Sequence, residues 1–266
     1  QDGTADDPAA AMLAVNKTTR KIRVESRALA NNAFLSSIQF FNESWRAVDV
    51  VIVDDLNGDG NTNDSVIAVL AERIFDGRIQ LQVRDLLTGA LISNTVYLNA
   101  RWTPIAAAVA DRSAVAPAGT LPPLIGVIAE KAEDGRRIMQ SRVAGTGVVD
   151  RNIKFLGSAW DYLDVSVNHD ANSDGVFDDP VWLVLASRPG DDVIRVQSRF
   201  VSTGAFDDNI VILNANWLAF HMDVALEISG NTSLEMAISA IRRSNGIRRL
   251  HIKDFASGAT TINIAP

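Results

Sequence analysis

Two stretches of this 266-residue chain space oxygen-bearing side chains as a hard cation requires. "DLNGDGNTND" puts Asp55, Asn57 and Asp59 at alternate positions, followed by Gly60, Asn63 and Asp64. "DANSDGVFDD" repeats the pattern with Asp170, Asn172, Asp174, Gly175, Asp178 and Asp179. Ca2+ takes roughly six to eight oxygen ligands, and the D-x-N-x-D-G spacing brings three side-chain oxygens to one side of a tight turn that Gly permits. The backbone carbonyl of the seventh loop residue, Asn61 or Val176, and the side chain at the ninth, Asn63 or Asp178, would complete each site. The bidentate Glu of a helix-flanked EF-hand is missing, and the flanks are β-branched. A single Asp/Asn/Gly cluster reads equally well as a solvated turn; two at equivalent places point to cation sites. Two Ca2+ would change the formal charge from -7 to about -3 (−7 + 4) and relieve carboxylate repulsion, which makes the expected role structural. "DGTADDPAAAML" at 2–13 aligns with "DGVFDDPVWLVL" at 174–185, so Asp2 and Asp6 match Asp174 and Asp178 as the second half of a third loop.

Other chemistry is sparse. The chain has three His (His169, His221, His251), no Cys, and no H-E-x-x-H, G-x-S-x-G or P-loop pattern, so hydrolytic triads and zinc sites have little support. Counting four residues on from Trp45, Trp102, Trp160 and Trp217 gives Asp49, Ala106, Asp164 and His221; six on gives Val51, Ala108, Ser166 and Asp223. On an innermost strand these groups would approach a central axis. A glycosidase needs two carboxylates roughly 5–10 Å apart, but the same groups could instead bond to neighbouring inner strands.

The elements that position these residues repeat. The four Trp sit in "FFNESW", "YLNARW", "FLGSAW" and "ILNANW" at intervals of 57, 58 and 57 residues. A basic ladder of Arg27, Arg84, Arg142, Arg199 and Lys253 recurs at 57, 58, 57 and 54, each followed by a turn pair such as Thr88-Gly89 or Thr146-Gly147. Its presence in every copy favours an inter-repeat role over recognition of anionic glycans. Within one period four short β-branched segments alternate with turns: "AVDVVIVD", "SVIAVLAE", "RIQLQVRD" and "ISNTVYLN". The first carries Val48/Val50, Ile105/Ala107, Leu163/Val165 and Phe220/Met222 in its four copies, read as one apolar face. Four antiparallel strands in a period of about 57 residues predict an all-β fold, a β-propeller of about five four-stranded blades. One blade lacks its first strand, because the N-terminal unit has no Trp-bearing segment. The units run 1–44, 45–101, 102–159, 160–216 and 217–266 of a single repeat domain. A β-solenoid is the runner-up; a string of sandwiches would need roughly 100 residues each. The Trp are expected to anchor blade packing, and Trp182, which has no counterpart, is the candidate for an individual role beside core packing.

Strand, D-x-N-x-D-G-x-x-(N/D)-D, strand "VIAVLA", then "RIQLQVRD" resembles the FG-GAP or VCBS class of calcium-binding propeller repeats, known from integrin α-chains, secreted bacterial surface proteins and some fungal lectins. The resemblance implies Ca2+ between the first two strands of certain blades, carried here by Asp55, Asn57, Asp59, Asn61 and Asn63 and by Asp170, Asn172, Asp174, Val176 and Asp178. The chain departs from that class in its long period and in lacking a Phe-Gly…Gly-Ala-Pro signature.

Composition narrows the partners. A content of 47% hydrophobic and 21% charged residues is that of a globular protein. A charge of -7 and a pI near 5.0 argue against nucleic acid. No apolar run approaches the roughly 18 residues of a membrane helix. The reading is a secreted or cell-surface module, structural, adhesive or binding a protein or glycan ligand at the cell surface. One alternative is a glycan-active enzyme built on the inner carboxylates. Another is a self-assembling homo-oligomer or filament completed by strand addition at the short blade. A first residue of Gln suggests processing, or a piece of something longer.

Overall fold

A computed structural model of the chain describes residues 9–28, 33–59, 64–112, 121–172, 174, 176, 178–226, 234–255 and 258–264. Asp2, Asp6, Asn61 and Asn63 lie outside them. Among the described residues the elements are nineteen strands in five antiparallel sheets. Blade 1 comprises β1 (Ala9–Val15), β2 (Ile22–Ala28) and β3 (Phe34–Gln39). Blade 2 comprises β4 (Trp45–Val53), β5 (Val66–Arg73), β6 (Ile79–Asp85) and β7 (Leu91–Tyr97). Blade 3 holds β8 (Trp102–Ala110), β9 (Leu124–Lys131), β10 (Arg137–Val143) and β11 (Val149–Ile153). Blade 4 holds β12 (Asp161–Asn168), β13 (Val181–Ser187), β14 (Ile194–Phe200) and β15 (Phe206–Leu213). Blade 5 holds β16 (Trp217–Leu226), β17 (Leu234–Arg242), β18 (Arg248–Asp254) and β19 (Thr260–Ile264).

Strands within each sheet follow chain order. The first strand of each four-stranded blade lies beside its counterpart in the next, β4 by β8, β8 by β12 and β12 by β16, which makes these the inner strands of a β-propeller. The second strands "VIAVLA", "LIGVIA" and "VWLVLA" are buried throughout because each is sandwiched between two other blades. The third strand alternates in sequence, yet Gln80 and Gln82 are buried along with Leu81, since the polar side also meets a neighbouring blade.

Among the described residues, buried hydrophobic side chains fall into four clusters, each shared by two successive blades: 1 with 2, 2 with 3, 3 with 4, and 4 with 5. A bulge in each inner strand corrects the reading of one apolar face. Register shifts between Ala47 and Asp49, Pro104 and Ala106, Tyr162 and Asp164, and Ala219 and His221. The bulge sends Val48 to the cluster with blade 3 and Val50 to the cluster with blade 1. Ile105 and Ala107 part in the same way, as do Leu163 and Val165.

The periodic marks are packing devices. Arg84, Arg142 and Arg199 lie over Phe40, Tyr97 and Phe155 of the preceding blade at 5.7, 5.1 and 5.7 Å, and each donates to the carbonyl of its own turn glycine, Gly89, Gly147 or Gly204. Trp45 stacks on Phe41 at 4.7 Å, and Trp160 sits between Arg188 and Arg195 at 5.1 and 5.4 Å. Trp182 is fully buried, its ring filling the space over Gly126, where a Cβ would lie 2.9 Å from it.

Candidate functional site: acidic loops and the inner strands

The two acidic loops leave the inner strands of blades 2 and 4 and share one internal wiring. Asp55 Oδ1 accepts from the amides of Gly58 (2.7 Å) and Asp59 (3.2 Å), and Asn57 Oδ1 accepts from the same Asp59 amide at 2.8 Å. In the second loop the Asp174 amide donates to Asp170 Oδ1 at 3.1 Å and to Asn172 Oδ1 at 2.9 Å. Two loop oxygens therefore converge on one nitrogen in each case. The tenth residue closes both loops. Asp64 takes the amides of Leu56 (3.0 Å) and Asn57 (3.1 Å) on its two oxygens, and Asp179 takes those of Ala171 (2.7 Å) and Asn172 (3.2 Å). Gly58 adopts φ +77, and a Cβ there would meet the carbonyl of Leu121 at 2.4 Å.

The donor set suits a hard divalent cation: carboxylate and amide oxygens, gathered by turns and short of positive charge. Asp170 is buried. Burial holds the Asp179 carboxyl above the usual carboxylate range, with repulsion from Asp170 and Asp178 acting in the same direction against the two amides that lower it. Among the described residues no three His, Asp or Glu side chains converge as metal ligands. A site in either loop would thus draw on the Asn oxygens and the seventh-residue carbonyl as well as on the acids. Val176 donates its amide to Asp174 Oδ1 at 2.8 Å, which leaves its carbonyl as the group to offer.

The inner carboxylates serve the blade junctions. Asp49 Oδ1 accepts from its own following amide, Val50, at 2.8 Å, and Oδ2 accepts from Ala107 of blade 3 at 2.8 Å. Asp164 does the same with Val165 at 2.9 Å and Met222 of blade 5 at 2.8 Å. The bulge turns these four amides away from the sheet ladder, and two carboxylates satisfy all four. The equivalent positions in blades 3 and 5, Ala106 and His221, need no acid because the preceding blade already supplies the acceptor. This explains why the acid alternates from copy to copy. The arrangement gives a glycosidase carboxylate pair no support. His221 Nδ1 lies 2.7 Å from Asp164 Oδ2, and this bond raises the imidazole's pKa against the opposing effect of its burial.

A cleft of about 160 Å³ lies where the inner strands of blades 2, 3 and 4 end, lined by Asp54, Asp55, Asp111 and His169 among others. Burial, then repulsion from Asp111, raises the Asp54 carboxyl. Burial lowers the His169 imidazole, and its Nε2 accepts the Asp111 amide at 3.2 Å, as a neutral ring can. No recognised motif marks this cleft in the sequence; its one signal is that Asp54, Asp111 and His169 each stand nine residues beyond a blade Trp.

No protein-family model matches the sequence, and no curated protein matches it. Among solved structures, AofleA from Arthrobotrys oligospora is similar at a TM-score of 0.61 and 10% identity, over 98% of this chain and 69% of its own. Hydrazine synthase from Kuenenia stuttgartiensis matches at a TM-score of 0.52 and 10% identity, over 96% of this chain and 65% of its own. What is shared is the propeller fold. A fold of this kind hosts many activities, and at such identity no residue role passes from these proteins to this one.

Proposed function

We propose that this propeller is an extracellular, calcium-stabilised module with a structural, adhesive or ligand-binding role, taking a protein or glycan partner at the cell surface. The observation that carries the reading is that, among the described residues, four hydrogen bonds recur at the same offsets in the loops of blades 2 and 4. Evolution of solvated turns has no need to place Asp, Asn, Asp and a closing Asp at the same offsets with the same amides. Bound Ca2+ would supply positive charge to Asp55, Asn57 and Asp59 and to Asp170, Asn172, Asp174 and Asp178, locking the ends of the inner strands. Engagement of Asp49 and Asp164 by backbone amides favours a binding module over a catalyst.

Thermal unfolding in Ca2+, in Mg2+ and in EGTA tests the metal. Ca2+ is expected to raise the melting temperature by several degrees over EGTA, and the double substitution Asp55→Asn with Asp170→Asn to abolish the difference. Equal melting temperatures in all three buffers would remove calcium from the proposal. Turnover on a polysaccharide panel, lost in Asp164→Asn with the fold intact, would overturn the non-catalytic role.

A further inference from the structure

The turns between the second and third strands lie at the end of the propeller opposite the acidic loops, and three of them cancel their own charge. In blades 2, 3 and 4 the cation at the end of the second strand pairs with a carboxylate three residues on: Arg73 with Asp76, Lys131 with Asp134 at 3.5 Å, and Arg188 with Asp191. Blade 5 keeps the cation, Arg242, and has Asn245 in place of the acid. The exchange removes charge alone. Asn245 Oδ1 accepts the Ile247 amide at 3.2 Å, as Asp76, Asp134 and Asp191 accept those of Arg78, Arg136 and Val193 at 3.2, 3.1 and 3.3 Å. Blade 1 departs further. Its turn carries Lys17, Arg20 and Lys21 with Thr19 in the place of the acid, and Asn16 takes over the brace by accepting the amides of Thr18 and Thr19 at 2.9 and 2.8 Å. Arg20 holds the left-handed turn position, φ 54, that Gly77, Gly135 and Gly246 fill in blades 2, 3 and 5, so a cation stands there against the backbone preference. Lys17, Arg20, Lys21 and Arg242 are all exposed, and among the described residues none of them has a carboxylate partner.

We propose that these two turns are contact points for an acidic polysaccharide. Guanidinium forks and lysine ammonium groups meet its carboxylates or sulfates. At the turn tips the exposed Thr18, Thr19, Ser244 and Asn245 bring hydroxyl and amide groups to the sugar hydroxyls. A sugar polyacid spaces its charges by a ring or more and suits two local clusters, whereas the dense, uniform charge of duplex nucleic acid also meets the repulsion of a chain carrying -7. The inference names the partner class of the binding module proposed above and rests on that reading, but not on calcium.

Titration of the chain in EGTA with heparin and with hyaluronate, and with dextran as the uncharged control, tests this. The wild-type chain is expected to bind a charged polymer and not dextran, with affinity falling as salt rises. Thr19→Asp combined with Asn245→Asp gives both turns the acid of the other three blades, and is expected to weaken binding by about tenfold or more at an unchanged melting temperature. Arg20→Gly removes a cation and relieves the backbone, so binding should weaken while the melting temperature rises, a pair of opposite signs that a purely structural role would not give. Wild-type chain that binds neither charged polymer, or a double variant that binds as well as wild type, would overturn the proposal. So would tighter binding of phosphatidylglycerol vesicles or duplex DNA than of either polysaccharide. Such a failure with the calcium-dependent rise in melting temperature intact would sink this inference alone.

Discussion

Asp49 reaches across a blade boundary to accept the backbone amide of Ala107 at 2.8 Å, and Asp164 repeats the contact with Met222 one double step later in the ring. Each acid also takes the amide that follows it, so one side chain holds two bulged inner strands in register. A bulge frees an amide from the ladder, and a freed amide shielded from water must find an acceptor. The alternation Asp, Ala, Asp, His along the four Trp-bearing blades is therefore a count of amides and not a divergence of function.

Removing one clamp should cost more than an ordinary surface substitution. Asp164→Ala strands two amides on Val165 and Met222, both buried, and is expected to destabilise by about 2–4 kcal/mol, at ~1–2 kcal/mol per unpaired donor. Asp49→Ala should cost less, because Asp49 is only partly buried and water can replace it. Asp164→Asn keeps one acceptor but turns an NH2 group toward an amide donor, so it should recover no more than about half of the loss. Urea unfolding of the three variants reads the order directly; equal losses for the two alanine variants would remove the burial argument.

The turn glycines mark where blades touch. Gly147 has φ +70, and a Cβ there would fall 2.3 Å from Thr95 Oγ1 of the preceding blade. Gly147→Ala is expected to cost about 2–3 kcal/mol, part from the left-handed backbone and part from the clash. Gly157→Ala, where nothing lies within 4 Å, should be close to neutral. Adding Thr95→Ala to Gly147→Ala should return only the steric part, and a double mutant cycle measures that coupling.

The sequence carried the repeat and the strands because every blade restates them: spacing of Trp, basic residue and turn glycine is set by the length of four strands, which cannot drift within a ring. It did not carry the bulge. Val48 and Val50 alternate as a regular strand would have them, and only pairing with β5 reveals that Asp49 takes the place of a skipped partner. The loop spacing singled out oxygens that the fold gathers on shared loop amides, but counting oxygens does not tell a ligand from a brace. Asp64 and Asp179, expected with the metal ligands, spend both oxygens on loop amides. The role of Asp49 was open for a similar reason, since its partner amide belongs to a residue 58 positions away.

Exposed His221 and partly buried His169 should give stability opposite slopes with pH. His221 gains Asp164 as a partner, with Asp223 and Asp49 nearby, and its folded pKa lies above the ordinary value of 6.5. Its contribution is fully present below that value and is lost as pH rises through the raised folded pKa. His169 is lowered by burial despite Asp111, so its contribution is present above 6.5 and is lost as pH falls through the lowered folded pKa. Wild-type stability should therefore rise as pH drops from about 8 to about 6.5 on account of His221, and fall below that on account of His169 and of His251, which burial and the nearby Lys253 and Arg249 also lower. His221→Gln should flatten the upper arm alone and His169→Gln should reduce the lower arm, leaving the part that His251 supplies, measured by urea unfolding across the range. An unchanged upper slope in His221→Gln would mean that the imidazole does not hold the Asp164 carboxylate in solution.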